Sequence, residues 1–110
     1  MVYQAPVKEI RLALKVAGFD AMIEDGLLSE VEEGLAEAIL EEAGKFATDR
    51  IAPLNHIGDK QGAQFSEGQV RMPPGWKETY QDWAGAGWNG LMANPEFGGQ
   101  GLPQMLQSAC

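Results

Sequence analysis

Ser29-Glu30-Val31-Glu32-Glu33-Gly34-Leu35-Ala36-Glu37-Ala38-Ile39-Leu40-Glu41-Glu42-Ala43-Gly44-Lys45-Phe46-Ala47 is the stretch on which the fold class turns. Val31, Leu35, Ile39, Ala43 and Phe46, with Ala38 and Ala47 beside them, recur at spacings of three and four, so one apolar stripe runs along a helix. Ser29 followed three residues later by Glu32 fits a capping box, in which hydroxyl and carboxylate satisfy two backbone N–H groups at the helix start. Ile51-Ala52-Pro53 marks the expected end, because proline disfavours the helical conformation in the residue before it. Residues 20–49 hold ten of the sixteen acids, namely Asp20, Glu24, Asp25, Glu30, Glu32, Glu33, Glu37, Glu41, Glu42 and Asp49, against the single base Lys45. Those acids read as the solvated face of the helix.

Upstream, Ala5-Pro6-Val7-Lys8 opens a short helix carrying Ile10, Leu14 and Ala17, with Gly18 as its stop. Downstream, periodicity vanishes over residues 55–75, where Gly58-Asp59-Lys60-Gln61-Gly62, Glu67-Gly68-Gln69 and Pro73-Pro74-Gly75 are turn signals. A connection of about 20 residues exceeds the usual length of a structureless loop, so this one is expected to pack on something or to serve a function. A helix over residues 75–86 places Trp76, Tyr80, Trp83 and Ala84 on one face. A glycine-dense loop follows, and Pro103 opens a further helix. Residues 104–110 carry no capping residue and no closing turn, which reads as an interruption. No segment alternates long enough to specify a strand. The fold class is all-α.

The composition, 45% hydrophobic and 22% charged over 110 residues, is that of a globular domain. No apolar run approaches the roughly 18 residues of a spanning helix, and a cytoplasmic location is the expectation. A net charge of −8 repels phosphate backbones and anionic lipid, which argues against nucleic-acid or membrane-surface partners. A single cysteine, Cys110, and a single histidine, His56, exclude an internal disulfide and the usual Cys/His zinc sites.

Several stretches invite a chemical reading and each has a plainer one. Gly85-Ala86-Gly87-Trp88-Asn89-Gly90 spells the dinucleotide fingerprint, yet it follows a helical pattern where the fingerprint needs a preceding strand, and no acid lies about twenty residues on to hold a ribose. Gly98-Gly99-Gln100-Gly101 ahead of a helix could offer N–H groups to an anion, or could simply let two backbones approach closely. The Glu33/Glu37/Glu41 ladder lacks the Glu-x-x-His pair of a diiron bundle. His56 has no nucleophile or acid partner nearby in sequence. Trp76, Tyr80, Trp83 and Trp88 have too few cations around them to track a phosphate chain and read as core or interface. Local chemistry therefore supplies no catalytic, cofactor-binding or metal residue.

The run Gly87-Trp88-Asn89-Gly90-Leu91, followed by Pro95-Glu96-Phe97-Gly98-Gly99-Gln100-Gly101-Leu102-Pro103, resembles the signature near the start of flavin-dependent acyl-CoA dehydrogenases. The acidic helix ending in Ile51-Ala52-Pro53-Leu54-Asn55 looks like the first long helix of that family. Val2-Tyr3-Gln4-Ala5-Pro6-Val7-Lys8-Glu9-Ile10-Arg11 and Met72-Pro73-Pro74-Gly75-Trp76 are similar to an N-terminal extension and a loop found in one of its branches. The resemblance implies residues 1–28 as that extension and residues 29–110 as an incomplete N-terminal helical domain. It implies FAD in the parent enzyme, an acyl-CoA thioester oxidised to a trans-2-enoyl-CoA by a glutamate base and the flavin, and an electron-transfer flavoprotein as acceptor. The glutamate and the flavin contacts lie in parts of the family outside these residues, so only the scaffold role of Pro95, Gly98, Gly99 and Gly101 carries over. An inactive segment whose partner is the rest of that parent is the first expectation. A small acidic helical interaction or oligomerisation module with no enzymatic activity, meeting a partner or another copy of itself, is the alternative.

Overall fold

The computed structural model describes residues 2–110. Helix α1, Val7–Val16, starts behind Pro6 and ends where Gly18 turns left-handed at φ 95° and donates to the Lys15 carbonyl. The expected stop at Gly18 is there, but the chain re-enters a helix at once. This α2, Phe19–Glu24, turns Phe19 fully inward.

The long acidic helix differs from its expectation at both ends. Helix α3 covers Leu35–Phe46, with Gly34 at φ 79° as its N-terminal flank and no side-chain cap. The capping box at Ser29 and Glu32 does not form: both residues are exposed, and the Val31 and Leu35 amides bond to the Leu28 and Glu32 carbonyls in successive turns. Those turns tuck Val31 and Leu28 against the core, and burying two aliphatic side chains outweighs a surface cap worth about 1 kcal/mol. The buried stripe is shifted as well. Ala36, Leu40, Ala43 and Gly44 are buried, Leu35, Ile39 and Phe46 only half so, and Ala38 is exposed. The small residues decide the shift, because α1 lies so close that a Cβ on Gly44 would stand 2.7 Å from a Val7 methyl.

Pro53 does not end the helix. A wide π turn, Ala47–Ile51, follows α3, and α4, Ala52–Gln61, carries the proline in its first turn, where its missing N–H costs nothing. The first third of the loop expected over residues 55–75, residues 55–61, is therefore helix. Its remainder is a hairpin of β1, Gln64–Ser66, and β2, Gln69–Arg71, with Phe65 opposite Val70. Glu67 and Gly68 both take positive φ, 53° and 74°, which matches the right-handed strand twist of a two-residue turn. Helix α5, Trp76–Gly85, appears where expected but buries Thr79 and leaves Tyr80 outside. The final helix α6, Gln104–Ala109, begins behind Pro103 and buries Leu106 completely. The architecture is helical, apart from the one hairpin.

One core joins the two ends of the chain: Leu14, Phe19, Val31, Ala36, Leu40 and Leu106 form a single cluster from α1, α2, the turns before α3, α3 itself and α6. Around it the molecule is flat, 55 × 38 × 18 Å, with a radius of gyration of 16.8 Å against about 13 Å for a closed domain of this length. Its accessible surface, 7861 Å², exceeds that of a closed monomer of this mass by about 1,900 Å². Among the described residues, no helix is long and apolar enough to cross a membrane.

Candidate functional site

The glycine-dense segment after α5 is the most elaborately ordered loop. Helix α5 ends at Gly85 with Ala86 as its C-terminal flank, and Gly87 at φ 87° leads into a short 3-10 turn, Trp88–Gly90. A second such turn, Pro95–Phe97, is capped by Asn94, whose side-chain oxygen accepts from the Glu96 amide at 2.9 Å. The chain then doubles back on itself. The Gly98 and Gly99 amides donate to the Pro95 and Asn94 carbonyls, Gln100 to Gly90, Gly101 to Ala93 and Leu102 to Leu91, all within 2.8–3.1 Å.

Three glycines there are needed for different reasons. Gly98 and Gly101 sit at φ 86° and 66°, where side chains are disfavoured, and Gly101 lies against the Pro95 ring. Gly99 has ordinary φ but no room, since a Cβ would fall on the Ala93 carbonyl. Every amide from 98 to 102 thus points at the chain's own carbonyls, and none is left for an anion. The fingerprint-like residues 85–90 are a helix C-terminus and the 3-10 turn after it, not the strand-to-helix turn that the fingerprint needs.

The aromatic residues separate into two groups. Trp83 stacks on Trp88 with centroids 5.2 Å apart and meets Phe46 at 5.3 Å. Asn89 holds this group by accepting from the Trp83 indole at 2.9 Å. Trp76 instead covers Gly58 on α4 and donates to the Leu54 carbonyl, while Tyr80 stays exposed. An open apolar cleft of about 210 Å³ lies between them, lined by Phe46, Ile51, Leu54, Trp76, Tyr80 and Trp83.

His56 lies exposed on α4. Among the described residues, no three of His, Cys, Asp and Glu converge as metal ligands would. Cys110 is half-buried against the core, and that burial pushes its thiol pKa up, away from the reactive thiolate.

The acidic face is not wholly solvated, because Arg11 of α1 reaches it. Its guanidinium donates to Asp20 at 2.6 Å and to Glu37 at 2.8 Å and lies over the Phe19 ring. The Glu37 carboxyl is held below the usual carboxylate range, chiefly by that hydrogen bond. This tie was invisible in the sequence, since its members stand 9 and 26 residues apart.

No family model matches the chain. Over 110 residues it is 40% identical to 3-methylmercaptopropionyl-CoA dehydrogenase of Ruegeria pomeroyi, a match that covers 99% of this chain. The chain matches a segment of an acyl-CoA dehydrogenase. It spans 19% of the length of that enzyme. The aligned stretch takes in the glycine-dense turn, the aromatic helix and the acidic helix together, so the resemblance carried by residues 87–103 extends to practically the whole chain.

Proposed function

We propose that the chain is the helical scaffold segment of a flavin-dependent acyl-CoA dehydrogenase, one that oxidises an acyl-CoA thioester to a trans-2-enoyl-CoA and passes electrons to an electron-transfer flavoprotein. The observation that carries this reading is the 40% identity along 99% of the chain to an enzyme of that kind. In this reading residues 1–28 are an N-terminal extension, residues 29–110 belong to the N-terminal helical domain, and the protein works in the cytoplasm.

The residues present do not fit FAD. A dinucleotide needs backbone amides or a helix N-terminus aimed at its pyrophosphate, whereas the amides of residues 98–102 are all bonded within the turn. The role left to these residues is mechanical. Pro95, Gly98, Gly99 and Gly101 hold the reversal that brings α6 back onto α1 and α3, and the surplus accessible surface is what a segment shows when it is built to be covered by the rest of an enzyme.

Two measurements test the reading. The purified 110-residue chain should show no flavin absorbance and no acyl-CoA oxidation; bound FAD with turnover would sink the scaffold role. A chimera in which this chain replaces the aligned segment of the Ruegeria enzyme should fold, take up FAD and oxidise its thioester. A chimera that folds but stays colourless and inactive would remove the family reading.

A further inference from the structure

We infer that residues 3–16 form a strap that locks α6: α1 and α6 dock on α3 or leave it together, so the N-terminal segment decides whether α6 is folded. Neither helix holds itself. α1 has ten residues and α6 six, both below the roughly 12–15 residues under which an isolated helix is marginal, and neither start has a side-chain cap. Their order comes from each other and from α3. Leu106 of α6 is fully buried in a cluster to which Leu14 of α1 and Phe19 of α2 belong, with Val7, Ile10 and Met105 packed around it. The three elements also meet around a cavity of about 80 Å³, walled by Ala5, Val7 and Ile10, by Leu40 and Gly44 of α3, and by Cys110 behind α6.

Three unlike contacts hold the strap on α3. Its seat is Gly44, where a Cβ would stand 2.7 Å from a Val7 methyl and 3.3 Å from the Ala5 Cβ. Beyond the seat, the Ala5 amide donates to the Thr48 hydroxyl at 3.1 Å. At the other end Arg11 donates to Glu37 at 2.8 Å. Charge pulls the same way, since α1 carries Lys8, Arg11 and Lys15 against Glu9, whereas α3 carries Glu37, Glu41 and Glu42 against Lys45.

Helix α3 does not need the strap in return. It runs on through the π turn into α4, and its far end is anchored by Phe46 against Trp83 and by Arg50 donating to Asp82. Release of the strap thus leaves a platform standing and takes α6 with it, because withdrawing Leu14 and Phe19 uncovers Leu106. The lock does not depend on the dehydrogenase reading.

Hydrogen exchange on the 110-residue chain, followed amide by amide, tests the lock. In low urea the amides of α1 and α6 should share one opening free energy, lower than that of Leu40 and Ala43 in α3. Gly44→Leu puts a strong helix former on α3 and fills the seat, so α1 and α6 should both exchange about tenfold faster or more, while α4 and α5 stay within about twofold. Ala38→Leu, which sets the same side chain on the exposed face of α3, should change neither α1 nor α6. Labelling of Cys110, the chain's single thiol, by a maleimide should quicken in Gly44→Leu in step with α6. Thr48→Val keeps the side-chain shape but removes the acceptor, and should speed the same two helices by a smaller factor, roughly threefold. Opening of α6 apart from α1, opening of both only together with α3, or a Gly44→Leu chain that loosens α1 and leaves α6 as it was would each overturn the inference. Equal loss of protection in every helix would do so too, because Gly44 would then be an ordinary packing position.

Discussion

The two ends of the chain and its middle fold by different means. At the ends, α1, α2, α3 and α6 enclose Phe19 and Leu106 completely, and a residue near position 14 meets one near position 106. In the middle, α4, the hairpin and α5 bury almost no aliphatic side chain, and their order comes from turn geometry and the contact of Trp76 with Gly58. The first region is a core in its own right. The second is a surface with backbone order but little enclosed volume, which is how a segment looks when its neighbour belongs to another part of an assembly. The most direct way to break that contrast is to truncate one phenylalanine in each region. Phe19→Ala should cost about 3–5 kcal/mol through lost burial and the cavity left behind. Phe65→Ala, at an exposed strand position, should stay within about 0.5 kcal/mol in dilute solution. Urea unfolding followed by far-UV circular dichroism measures both, and equal losses would erase the distinction between core and surface.

The glycine-dense turn joins the two regions, and its glycines differ in a measurable way. Gly99→Ala forces a methyl group onto the Ala93 carbonyl, which cannot retreat without breaking its bond from Gly101, so a loss of about 1–3 kcal/mol is expected. Gly98→Ala meets nothing within 4 Å and bears only the left-handed conformation, about 1–2 kcal/mol. If the two variants unfold alike, with α6 still docked, close backbone approach is not what the turn requires. The same variants carried into the Ruegeria chimera should rank in the same order in soluble yield.

Punctuation by proline and glycine made α1, α5, α6 and the turn before α6 legible, since Gly18, Gly75, Gly87 and Pro103 stand at the boundaries they predict. The same rule failed at Pro53, because the π turn before it lets a helix continue through a first-turn proline, and no apolar period announces that turn. The cap at Ser29 failed for another reason: local hydrogen bonding lost to the burial of Leu28 and Val31 against residues far away in sequence. The hairpin escaped because three-residue strands are too short to alternate visibly. Its one signal was Glu67-Gly68 between Phe65 and Val70, and glutamate rarely takes the positive φ that this turn requires. The glycine turn was legible as motif and as geometry, whereas the Arg11 tie depended on three helices being brought together first.

That tie gives the smallest effect and the one most sensitive to conditions. The folded-state pKa of Glu37 is depressed by Arg11, so the stabilisation is present above the unfolded carboxylate pKa of about 4.3 and is lost as pH falls through the lower folded value. Arg11 stays charged throughout, and its own raised pKa adds no pH dependence in this window. Half of the Glu37 side chain is exposed, so solvent screens the pair and its worth is about 0.2–1 kcal/mol. Glu37→Gln should therefore be slightly less stable than the wild type at pH 7 and indistinguishable from it near pH 2. Salt at 1 M should narrow the neutral-pH gap, because the screening length falls to about 3 Å. A gap that persists unchanged at pH 2 would mean that Glu37 contributes packing along α3 and not charge, and the charge tie of Arg11 would then run to Asp20 of α2 alone.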